Sequence, residues 1–135
     1  MATVKLLSDD ELSADARAVF DDIRMVRKSD FVNNFWRALA HDPKTLRRTW
    51  ESIKEVMAPG ALDPKTKEML YVAVSIAHGC SYCIHSHTAA ARAKGMTEAE
   101  YGELLAIVGM AAETNRLVTA LGVPVDEAFL VDAAD

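Results

Sequence analysis

The stretch Asp63-Pro64-Lys65-Thr66-Lys67-Glu68-Met69-Leu70-Tyr71-Val72-Ala73-Val74-Ser75-Ile76-Ala77-His78-Gly79-Cys80-Ser81-Tyr82-Cys83-Ile84-His85-Ser86-His87 decides how this chain is read. Asp-Pro is a helix-start signal: the carboxylate caps free backbone N–H groups, and proline is tolerated at the first helical position. From there to about His78 the residues are apolar on nearly every side, which predicts a buried central helix. Gly79 is a break, and a second helix opens near Cys80. Positions three and four apart share a helix face, so Cys80, Cys83 and His87 are expected on one stripe. Glu68 is a carboxylate inside an apolar helix, where its charge is costly unless hydrogen-bonded.

These residue types point to thiol chemistry. The thiolate is the attacking form of cysteine, and an ordinary thiol is mostly protonated at neutral pH. Unpaired N–H groups at the start of the Cys80 helix favour the charged sulfur. His87 can accept or relay a proton, and Glu68 is the candidate to orient its ring.

Upstream, Ser8 and Glu11 fit a capping box for a first helix running to about Lys28, with Leu12, Ala16, Val19, Phe20 and Ile23 as its apolar stripe. A short helix over Val32 to Ala40 stops before His41-Asp42-Pro43. Asp42 and Pro43 then start a third helix that turns Leu46, Trp50, Ile53 and Met57 inward. Ala58-Pro59-Gly60 is the clearest break in the chain. Downstream, the Cys80 helix ends at Lys94-Gly95, and Thr97 with Glu100 caps a long helix to Leu121-Gly122. The tail from Val123 reads as a last short helix or a docked, strand-like arm. Residues 1–135 are expected to form a single all-α domain of about six helices.

Half of the 135 residues are apolar and 26% are charged, which is the composition of a folded protein. Twenty acidic against 15 basic residues give a net charge of −5, which disfavours a nucleic-acid partner. No segment is read as a membrane span or signal peptide, so a cytoplasmic protein with no membrane partner is expected. In a reducing compartment, a C-x-x-C pair points to redox or metal chemistry ahead of a permanent staple. Inert core thiols, a structural disulfide and a zinc site remain open beside the redox reading. Zinc would recruit His85 and His87, but His85 lies about 140° around the helix from Cys80, so one helix cannot converge all four ligands. The expectation is a site without metal or cofactor. His41, His78 and His85 read as surface or helix-end residues. The apolar helical surface, including Ile84 and Ala89-Ala90-Ala91, suits a homo-oligomer.

The residues Leu62 to Glu68, Cys80 to Ala91 and Gly95-Met96-Thr97 together resemble the alkylhydroperoxidase AhpD-like branch of the carboxymuconolactone decarboxylase family, closely over about residues 60 to 110. The resemblance implies an all-helical fold assembled as trimers or hexamers, with dithiol reduction of hydroperoxides. By position, Cys83 matches the sulfur that attacks the peroxide and Cys80 the resolving thiol. Glu68 and His87 match a proton relay, and an external dithiol restores the pair. A dithiol redox protein or sensor without peroxide turnover is the alternative. Tyr82 stands where the founding peroxidases of this branch carry histidine. The dedicated lactone decarboxylases typically lack the C-x-x-C pair, so decarboxylation is not expected.

Overall fold

The computed structural model of the chain describes residues 1–130. Six α-helices follow one another: α1 (Ala14–Arg27), α2 (Asn34–Leu39), α3 (Pro43–Met57), α4 (Pro64–His78), α5 (Ser81–Ala93) and α6 (Glu98–Leu121). Two 3-10 turns, Asp9–Glu11 and Glu127–Phe129, flank them, and there is no strand among the described residues. The all-α expectation holds. Among the described residues, which reach Leu130, the tail carries only the 3-10 turn, in place of a helix or a strand-like arm; its last five positions lie outside the described residues.

Contacts divide the chain into two compact units that meet in sequence at Ala58 and Pro59, within the Ala-Pro-Gly break. In the first unit the Ser8–Glu11 box forms as read, with Ser8 N–H donating to Glu11 Oε2 at 2.9 Å. It serves one 3-10 turn and not a long helix. A second cap, Ser13, starts α1 by accepting the Ala16 N–H at 3.2 Å. The expected stripe is nonetheless buried. Leu12, Ala16, Val19, Phe20 and Ile23 join Val32, Trp36, Ala40, Leu46 and Trp50 in one apolar core. Trp36 and Trp50 meet edge to face at 5.6 Å, an orientation favoured by the ring quadrupoles. The Trp50 indole N–H donates to Asp22, and Lys54 bonds the same carboxylate oxygen. Asp9 is held by Arg24 and Arg37, whose hydrogen bonds keep its carboxyl below the usual range.

In the second unit α4 packs against both α5 and α6. Asp63 caps α4 by accepting the Thr66 N–H at 2.9 Å, with Pro64 in the first turn. Thr97 and Glu100 form the predicted capping box of α6. The reading of α4 as buried on nearly every side needs correction. Its buried residues are Glu68, Val72 and Ser75, a single stripe spaced four and three apart, whereas Leu70 and Val74 are half exposed. Helix α6 is still barer, with Leu104 alone buried and Ile107, Met110, Leu117 and Leu121 exposed. Apolar periodicity reports which residues avoid water, and in this chain much of that surface is not covered by the chain itself. A related correction concerns membranes. Helix α6 is long and apolar enough to cross one by length and composition, because from Leu104 to Leu121 its only charged residues are Glu113 and Arg116. The same composition also suits a helix that packs against protein.

Candidate functional site

The α4–α5 connection builds the site. Gly79 ends α4 in the left-handed conformation (φ 70°), which glycine adopts without the steric penalty a Cβ brings. The chain then reverses within one residue. Cys80 N–H donates back to the Ser75 carbonyl at 3.0 Å, and Cys80 becomes the N-cap of α5.

Cys80 therefore stands at the mouth of the helix, not on its stripe as expected, with extended backbone angles. Its Sγ accepts the Cys83 N–H at 3.2 Å. A sulfur in that position receives both a hydrogen bond and the positive end of the helix dipole, and each favours a thiolate once the thiol is free. Cys80 and Cys83 are joined as a disulfide with their Cα atoms 5.3 Å apart, and both are partly buried.

His87 follows Cys83 by one turn of α5. Its Nδ1 lies 2.7 Å from Glu68 Oε2 on α4. The Glu68 side chain is 8% exposed and that of His87 17%. Burial pushes the Glu68 carboxyl up, but the hydrogen bonds from His87 and Lys94 outweigh it and hold the group below its ordinary range. An ionised carboxylate only accepts, so the imidazole carries its proton on Nδ1 and keeps Nε2 for proton exchange. The Tyr71 ring stacks on the imidazole at 3.6 Å, nearly parallel, and fixes its plane.

Two of these partners were not singled out from the sequence. Lys94 Nζ lies 3.0 Å from the other Glu68 oxygen, Oε1. Its signal was the spacing: seven residues after His87, it returns to the same face two turns later. Tyr71 is three residues after Glu68, the corresponding position on α4. The remaining histidines are placed as expected. His78 and His85 are exposed, and His85 Nδ1 meets the Ser81 carbonyl at 2.8 Å. His41 meets the Lys5 carbonyl at 2.7 Å. Tyr82 is exposed. An open apolar cavity of about 310 Å³ lies between α4 and α6, lined by Met69, Leu70, Ala73, Leu104, Ile107 and Val108 among others. None of Glu68, Cys80, Cys83 and His87 lines it.

The model of the carboxymuconolactone decarboxylase family matches residues 43–126, most of the chain. The chain belongs to that family. Within it, the chain is similar over nearly its whole length to a solved structure described as the alkylhydroperoxidase AhpD core from Rhodospirillum rubrum. Identity is 67%, the match covers 98% of this chain and 99% of that one, and the TM-score is 0.94. A shorter match, 40% identical over 52 residues, is to uncharacterized protein 4 in the cox locus of Paracoccus denitrificans. It takes in 38% of this chain and spans about half (47%) of that relative's length. The all-helical AhpD-like fold is thus common to the family member and its solved counterpart.

Proposed function

We propose that the chain is a thiol-dependent peroxidase that reduces hydroperoxides through Cys83 and Cys80. One observation carries the reading: a buried, ionised Glu68 accepts a hydrogen bond from His87, one turn from a disulfide-bonded C-x-x-C pair. The likeness to an alkylhydroperoxidase AhpD core supports it.

In the first step the Cys83 thiolate attacks the outer peroxide oxygen and the O–O bond breaks. Cys83 becomes a sulfenic acid, and the alkoxide leaves as an alcohol with a proton delivered through His87. The Cys80 sulfur then attacks the sulfenic sulfur, an S–S bond forms and water leaves. Its place at the start of α5 suits Cys80 to this role, because resolution needs a thiolate. An external dithiol reduces the disulfide by two exchange steps and is itself oxidised to a disulfide. Glu68 orients the imidazole and balances its charge during proton transfer. Organic cofactors and metals have no part in this cycle.

The cytoplasm, where reductants sustain such turnover, is the compartment that fits. A homo-oligomer, trimer or hexamer, would cover the apolar surface that α4 and α6 leave open. The test is turnover with an organic hydroperoxide and a small dithiol. One dithiol should be oxidised for each peroxide consumed. Dithiol oxidation without peroxide loss would reject the reading.

A second reading has its own observation. The hydrogen bond from the Cys83 N–H to Cys80 Sγ also suits a dithiol redox protein or sensor that exchanges disulfides without consuming peroxide. Equilibration with defined redox buffers, alongside negligible peroxide turnover, would select it.

A further inference from the structure

We propose that Lys94 is a positioning residue for the proton relay: through Glu68 it fixes the protonated nitrogen of His87. The inference rests on the peroxidase reading for its kinetic consequence and on geometry alone for its structural one.

The buried carboxylate has two oxygens, and each has one cationic or N–H partner. Oε2 takes the His87 Nδ1 hydrogen at 2.7 Å, and Oε1 takes Lys94 Nζ at 3.0 Å. Such a bridge defines the carboxylate plane, which a single hydrogen bond leaves free to rotate. The plane in turn directs Oε2 at Nδ1 and leaves Nε2 available for exchange.

The fold holds Lys94 in place without help from the site. It is the C-cap of α5, and its backbone N–H donates to the Ala90 and Ala91 carbonyls at 3.1 Å. Gly95 follows in the left-handed region (φ 97°), and buried Met96 returns a hydrogen bond to the Ala91 carbonyl. A cation there also faces the negative end of the α5 dipole. Ala91, fully buried between His87 and Lys94 in sequence, offers no bulk to separate them from α4. The Lys94 side chain is 41% exposed, so its ammonium keeps part of its hydration while reaching an oxygen that has almost none.

Among the described residues, the charged and titratable groups that interact with Glu68 or its partner are few. From α5 they are His87 and Lys94, and from α4 itself Tyr71, stacked on His87. From α6, Glu100 is engaged by Lys65 at 2.9 Å and so belongs to a separate pair. Lys94 is therefore the permanent positive charge opposite Glu68. Removing it takes away one of the two hydrogen bonds that hold the carboxyl below its ordinary range, and the carboxylate is then lost at higher pH.

The test compares Lys94→Met, which keeps the stem and loses the charge, with Lys94→Arg, which restores it. Nitrogen NMR of the histidine ring reads the tautomer directly. Wild type and Lys94→Arg should show His87 protonated at Nδ1, and Lys94→Met a mixture of the two tautomers. In hydroperoxide turnover, Lys94→Met should lose roughly tenfold in kcat with little change in KM. The acid limb of its pH profile should move to higher pH, and Lys94→Arg should recover most of both. An unchanged tautomer and acid limb in Lys94→Met would overturn the proposal, as would an equal loss in Lys94→Arg. Turnover that persists in Cys83→Ser would defeat the peroxidase reading instead, and the NMR comparison would still decide the role of Lys94.

Discussion

Cys83→Ser is expected to lose hydroperoxide turnover by on the order of a thousandfold or more, with the fold intact. A serine hydroxyl has no accessible anion at neutral pH, so the variant retains only the binding and orientation supplied by the rest of the site. The loss should be in kcat and kcat/KM together, because the missing bond forms only in the transition state. Circular dichroism separates this from unfolding. The Cys83 side chain is partly buried, and its backbone N–H, which caps through Cys80 Sγ, is kept in the serine variant. Turnover within a few-fold of wild type would remove Cys83 from the mechanism.

Glu68→Gln tests the other half of the site. The amide keeps the shape of the side chain but carries no charge and presents one oxygen where the carboxylate presents two. His87 Nδ1 and Lys94 Nζ, both bonded to Glu68 in the native site, then compete for it. Turnover should fall by about a hundredfold, the scale of a general acid–base contribution. Stability should also change its dependence on pH. The Glu68 carboxyl is held below its ordinary range, burial being outweighed by His87 and Lys94. The unfolded chain therefore takes up a proton at higher pH than the folded one. The stabilisation from this group is present above the ordinary carboxylate range and is lost as pH falls through the lowered folded value. Asp9, Asp22, Asp42, Asp63 and Glu100 are depressed as well, so acid unfolding of the wild type sums several groups. The difference between wild-type and Glu68→Gln unfolding curves isolates one. That difference should shrink on acidification. A gap that is constant or widens toward acid would contradict the assignment of Glu68 as a depressed, paired carboxylate.

Helix boundaries set by side-chain chemistry were the most legible part of the fold. Asp42 and Asp63 with their prolines, and Thr97 with Glu100, each name their own N–H partners within three residues, so sequence alone locates them. The Ser8–Glu11 box shows the limit of that logic. The box was read correctly, but the length of what it starts was decided by Ser13, a stronger break than the apolar stripe through Leu12 suggested. In the site, the C-x-x-C spacing anticipates Cys80 and Cys83 lying together, and the isolation of Glu68 among apolar residues anticipates its hydrogen bond with His87. Lys94 was read only as the end of a helix beside Gly95. A long flexible side chain does not announce its partner, and its role emerges only when α5 packs on α4.

The burial of α4 differs from its reading for another reason, and α6 shows the same effect. Apolar pattern specifies a surface that avoids water without saying whether the same chain covers it. Leu70, Val74, Ile107 and Leu117 carry that pattern and remain exposed. The same ambiguity holds for α6, which is long and apolar enough to cross a membrane by length and composition although no segment of the sequence reads as a span.

The account stands on Cys83 as the atom that takes oxygen from a peroxide. Blocking the second step isolates the first. The Cys80→Ser variant, fully reduced and exposed to one equivalent of an organic hydroperoxide, should gain the mass of one oxygen atom. A sulfenic-acid trap should place that oxygen on Cys83. An unchanged mass under conditions that oxidise the wild type, or an oxygen found on any other residue, would contradict it.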